Sequence, residues 1–117
     1  QQSLPAYVYR FTRIVPAEGE YKKFKAFHTG EVPYAYNNLR FVKRPWESAD
    51  IVLANEMAGY WSSFIKTGNP NHGSALTWPL FNHKEKMTMH FDTTNKISPM
   101  EDGNRLEFLF GVMTANK

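Results

Sequence analysis

The chain has 117 residues and a mass of 13.6 kDa, the size of one small domain. Its 42% hydrophobic and 21% charged content argues against intrinsic disorder. The absence of cysteine excludes disulfides, thiolate metal ligation and a cysteine nucleophile. No apolar run approaches the ~18 residues of a membrane span, so no membrane span is expected. No charged-then-apolar leader opens the chain, so no signal peptide is visible in it. The net charge of +3 is uneven, +5 over residues 1–45 and −2 over residues 46–117. Lys22, Lys23 and Lys25 form one basic cluster, and Arg40, Lys43 and Arg44 another. Phe24, Phe27, Phe41 and Trp46 interleave with them, the mix a single-strand nucleic-acid binder uses. Charge runs are far more often a solvated face beside core aromatics, and no nucleic-acid partner is expected. Aromatics make up 15% of the chain. Each packed ring buries about 150–250 Å², and a chain of this size hides only about two thirds of its unfolded surface. Some rings are therefore expected to stay uncovered if the chain stands alone.

Residues 6–13 are rich in β-branched and aromatic types and predict a strand, with Tyr7, Tyr9 and Phe11 on one face. No partner for it lies nearby in sequence. Residues 16–47, with Pro16, Gly19, Gly30, Pro33, Asn37, Asn38 and Pro45, predict a long loop, a kind of segment that is usually functional or held by other structure. Residues 49–67 predict the clearest helix: Ser48 as N-cap, Asp50 in the first turn, and a stripe of Leu53, Met57, Tyr60, Trp61 and Phe64. Gly68 and Pro70 end it. Trp78 to Phe81 read as a short extended piece. Residues 87–92 alternate as a half-buried strand, with Met87, Met89 and Phe91 inward. A short segment follows around Ile97 and is broken by Pro99. Leu106, Leu109, Phe110 and Met113 then mark a short amphipathic helix beginning near Asp102.

The four histidines, His28, His72, His83 and His90, show no compact ligand spacing, so no metal site is expected. No Gly-x-Ser-x-Gly, phosphate-binding glycine loop or dinucleotide fingerprint is present. His28 stands out because it lies in the long loop, where Gly30 and Pro33 shape the backbone and a ring can be presented to a cleft as a general base. Taken on composition alone, an ordinary surface histidine is the commoner outcome.

The stretch Phe27-His28-Thr29-Gly30-Glu31-Val32-Pro33-Tyr34 resembles the catalytic-histidine segment of type B carboxylesterases, the cholinesterase-like (para-nitrobenzyl esterase-like) branch of the α/β-hydrolases. That pattern runs His, two residues usually beginning with Gly, Glu, an aliphatic, a variable residue and an aromatic. Trp61, Phe64, Lys66-Thr67-Gly68 and Pro70-Asn71 fall where the family places its following helix and its end. Trp78-Pro79 with Phe81, and Arg105 to Leu109, look like its later elements. The resemblance covers nearly the whole chain, in order. The departure is Thr29, where the family usually has Gly.

The resemblance implies an α/β class, with residues 1–117 as the C-terminal part of an α/β-hydrolase fold. Alone this would be an α+β fragment: N-terminal strand, long loop, long helix 49–67, short strands, C-terminal helix. It implies His28 as the triad histidine of a serine ester hydrolase, with Ser and acid supplied by upstream sequence, since the chain order is Ser, acid, His. It implies anchoring roles for Glu31, Gly30 and Tyr34, a small-molecule ester substrate, no cofactor, and a secreted or periplasmic setting. The chain alone is then expected to be inactive, and to self-associate through an unpaired strand or apolar face. The alternative is a non-catalytic, cholinesterase-like binding or adhesion domain.

Overall fold

The strand expected over residues 6–13 contracts to β1 (Tyr9–Phe11), because only there does a ladder partner run alongside. The computed structural model describes residues 4–115. In it Tyr9, Arg10 and Phe11 pair in parallel with Met89, His90 and Phe91 of β2 (Met87–Phe91). The expectation of an unpaired strand is thereby corrected: its partner lies far along the chain, where no local signal reveals it. One edge does remain open. The Ala6 and Val8 carbonyls and the Thr12 N–H all bond toward the β2 side, to Phe81, Met89 and Phe91. Backbone groups alternate in direction along a strand, so those of Tyr7, Tyr9 and Phe11 face the other edge, which pairs with no strand among the described residues.

β2 is the middle strand, with antiparallel β3 (Lys96–Pro99) on its far side. The register places Tyr9, Phe11, Met89, Phe91 and Ile97 on one face and Arg10, His90 and Lys96 on the other. β2 is not half-buried as expected. Thr88 and His90, on the face opposite Met89 and Phe91, are buried as well; on that face Arg10, beside His90 in the register, bonds the Glu101 carboxylate at 2.7 Å. Pro99 is the last residue of β3 and ends it as expected, in a place that an edge strand permits. Trp78 to Phe81 carry no strand.

The expected long loop is punctuated by short helical turns: 3-10 turns at Gly19–Phe24 and Leu39–Phe41, and α1 (Val32–Ala35), which begins with Pro33 in its first turn. Lys23, Arg40 and Arg44 lie over the rings of Phe24, Phe41 and Phe27, at 5.3, 4.7 and 5.3 Å.

The long helix is α2 (Ser48–Thr67). Its N-cap is Glu47, one residue before the expected Ser48. Asp50 reaches back and accepts the Glu47 N–H at 2.8 Å, a first-turn contact that takes up a free donor. Gly68, at φ 77°, stops the helix by donating its N–H to the Phe64 carbonyl. Leu53, Ala54, Met57 and Tyr60 of α2 are buried in one core with Trp78, Met89 and Phe91. Aromatic rings fill it edge to face: Trp78 and Phe91 are 5.5 Å apart, Tyr60 and Trp78 5.7 Å.

The C-terminal helix forms as α3 (Gly103–Ala115), but its apolar residues do not join this core. Leu106, Leu109, Phe110 and Met113 are all exposed, Phe110 by 69%. Rings are uncovered elsewhere too, including Phe41, Tyr36 and half of Phe64.

Candidate functional site

His28 sits in a turn directly before α1, and the backbone there is demanding. Thr29 has φ 70°, in the left-handed region, which suits glycine and strains a β-branched residue. Gly30 is buried, and its N–H donates to the Phe27 carbonyl at 2.9 Å. A Cβ on Gly30 would stand 2.9 Å from that same oxygen and 3.3 Å from Cγ2 of Val15. The two positions therefore need glycine for different reasons, Thr29 for its dihedral and Gly30 for its space, and only Gly30 has it.

The His28 ring is exposed. It borders an open groove of about 590 Å³, with Tyr9, Phe11, Ile14, Phe27 and Glu31 among its other walls. Glu31 caps α1 with its carbonyl, which accepts from the Tyr34 and Ala35 N–H groups at 3.0 Å. Its carboxylate accepts a long bond, 3.4 Å, from the Tyr9 hydroxyl. Burial raises the Tyr9 phenol above its usual range, and the Glu31 carboxylate adds to the rise. Of the three residues expected to anchor the turn, Gly30 and Glu31 lie in it, Glu31 accepting N–H groups of α1. Tyr34 lies farther in, fully buried.

The contact Tyr34 makes there escaped sequence reasoning. Its hydroxyl donates to Asp50 Oδ1 at 2.7 Å. Arg13 grips the same carboxylate with two bonds, Nε to Oδ1 at 2.8 Å and a terminal nitrogen to Oδ2 at 3.0 Å. Burial alone would raise the Asp50 pKa, but bonds from Arg13, Tyr34 and the Glu47 N–H outweigh it and hold the carboxyl below its usual range. The Tyr34 phenol is pushed up, by burial first and then by Asp50. Asp50 reads from sequence only as a helix-dipole residue. Its partners lie 37 and 16 positions away, so no spacing signals them.

The other histidines do not join His28. The His72 ring lies on Tyr60, 5.0 Å between centroids, with Nδ1 3.0 Å from the Pro70 carbonyl oxygen. His83 is exposed, and His90 is buried on β2. Among the described residues, no three His, Asp or Glu side chains are grouped to hold a metal.

A sequence model described as the Carboxylesterase family matches residues 1–109. The chain belongs to this family. It is 30% identical over 107 residues to carboxylesterase 4A of Bos taurus, covering 89% of this chain and 19% of that protein. It is 31% identical over 110 residues to the para-nitrobenzyl esterase of Bacillus subtilis (strain 168), covering 91% and 22%. Neuroligin-2 of Homo sapiens is 25% identical over 124 residues, covering 89% and 15%. Among solved structures, a thermophilic PNB esterase superposes with a TM-score of 0.73 at 29% identity, covering 88% of this chain and 21% of that one. The fold is thus part of an α/β-hydrolase, as expected, and the chain spans about a fifth of the length of the relatives it matches. The glycine that the family pattern carries after the histidine falls at Thr29, the position whose backbone is left-handed.

Proposed function

We propose that this chain acts as the C-terminal portion of a carboxylic-ester hydrolase and supplies its triad histidine, His28. The observation that carries the reading is the His28 turn itself: an exposed imidazole on a backbone braced by Gly30 and α1, bordering a groove. In the reaction, His28 takes the proton from a serine hydroxyl as the oxygen attacks the ester carbonyl. It hands that proton to the departing alcohol, then takes one from the water that attacks the acyl-serine and returns it to the serine oxygen as the carboxylic acid leaves. The serine, the acid that orients the imidazole, and the oxyanion donors come from the longer protein. No metal or organic cofactor enters the scheme. Glu31 serves to anchor the turn and is not the triad acid.

The chain alone, lacking two triad members, is inactive on this reading. Its open β1 edge and the apolar α3 face favour association with another copy when nothing else covers them. The test is hydrolysis of a p-nitrophenyl ester by the longer protein, with and without His28→Ala, and by the 117-residue chain. Activity should vanish in the variant and be absent from the chain; a variant as active as the parent rejects the assignment. The likeness to neuroligin-2, whose name carries no hydrolase activity, favours a second reading as a non-catalytic binding domain. A Gly-x-Ser-x-Gly in the upstream sequence separates the two.

A further inference from the structure

The His28 turn hangs between two anchors, and one buried carboxylate holds both. On its N-terminal side, the Lys25 carbonyl accepts the Val15 N–H at 3.3 Å, and Cγ2 of Val15 would stand 3.3 Å from a Cβ added to Gly30. Two residues before Val15, Arg13 is clamped to Asp50. On the C-terminal side, α1 carries Tyr34, whose hydroxyl ends on the same carboxylate. Asp50 is fully buried, and each of its oxygens accepts two bonds: Arg13 Nε and the Tyr34 hydroxyl on Oδ1, a second Arg13 nitrogen and the Glu47 N–H on Oδ2. A saturated, charged node of this kind adds little net stability over apolar packing, but its bonds are directional and fix relative position.

We propose that Asp50 is a positioning residue for His28, acting through Tyr34 and Arg13 to fix the turn from Phe27 to Glu31. The inference rests on the catalytic reading of His28. Asp50 touches no reacting atom. It sets where the imidazole stands, and a misplacement of about 1 Å at a reacting group can cost on the order of 100-fold in rate.

The test uses the longer esterase that carries this chain, with Tyr34→Phe removing one bond to Asp50 while keeping the ring. Tyr60→Phe is the control, since Tyr60 is likewise a buried tyrosine and its hydroxyl bonds the Leu76 carbonyl, outside the turn. Two readouts are taken well below each variant's unfolding temperature: amide hydrogen exchange at residues 27–31, and kcat with KM for a p-nitrophenyl ester. Tyr34→Phe should speed exchange at the turn and lower kcat, each by about tenfold, with KM little changed. Tyr60→Phe should move neither. The proposal is overturned if Tyr34→Phe leaves the exchange unchanged, or if both variants lower kcat alike. His28→Ala is assayed in parallel. If it retains activity, the catalytic reading falls, and the exchange result alone then decides whether Asp50 holds the turn.

Discussion

Replacing Thr29 with glycine should stabilise the protein, an unusual outcome for a glycine substitution. The side chain is exposed, so its removal forfeits little packing. The backbone at φ 70° is what matters. A left-handed conformation costs a non-glycine residue about 1–2 kcal/mol, while glycine's freedom in the unfolded chain returns about 0.5–1 kcal/mol against it. The net expectation is a gain of about 0.5–1 kcal/mol, a rise of about 2–4 °C in Tm for a domain of this size. The neighbouring change, Gly30→Ala, should have the opposite sign. Its methyl meets the Phe27 carbonyl oxygen at 2.9 Å, a backbone atom already bonded within the turn, and overpacking of this kind costs about 1–3 kcal/mol. Thermal unfolding followed by circular dichroism reads both. A loss of stability in Thr29→Gly together with a harmless Gly30→Ala would refute this account of the turn.

Asp50 makes stability depend on pH. Its folded pKa lies below the unfolded one, so its contribution is complete above the unfolded pKa, near 4, and is lost as pH falls through the folded value. Urea midpoints measured from pH 7 down to pH 3 should fall, and Asp50→Asn should flatten that fall while costing about 3–5 kcal/mol through the stranded Arg13. An acid-insensitive midpoint contradicts the network. Met57→Ala, at a fully buried site in the core, should cost about 2–5 kcal/mol in the same assay; a loss under 1 kcal/mol would mean α2 is not packed as described. The chain alone should sediment as a dimer or larger, and Phe110→Ser on the exposed face of α3 should reduce that association with little effect on stability. A monomer at tens of micromolar contradicts it.

What could be seen in the sequence tracks how local each cause is. α2 is legible nearly to the residue because its signals are contiguous: the apolar stripe, Gly68 and Pro70. Even so, the cap moved to Glu47, since Asp50 bonds that residue's N–H. β2 is legible as a strand from its alternation, but the burial of Thr88 and His90 on its second face depends on what packs over that face, which no period encodes. β1 illustrates the limit: eight residues have strand chemistry, three have a partner. α3 is legible as a helix, but its amphipathic pattern says nothing about what covers the apolar face, which is exposed here. At the site, His28 and Gly30 stand out from the loop they share, and the family resemblance supplies the roles expected of them and of Glu31. The Arg13–Asp50–Tyr34 node does not stand out, because it joins three distant segments in space.

The most direct test of the central claim is the acylation rate of the longer esterase, followed as the burst of p-nitrophenol in the first turnover, with His28 intact and with His28→Ala. Loss of a triad member should slow acylation by at least about 10³-fold while the protein still folds. A burst in His28→Ala at the parent rate would contradict the account.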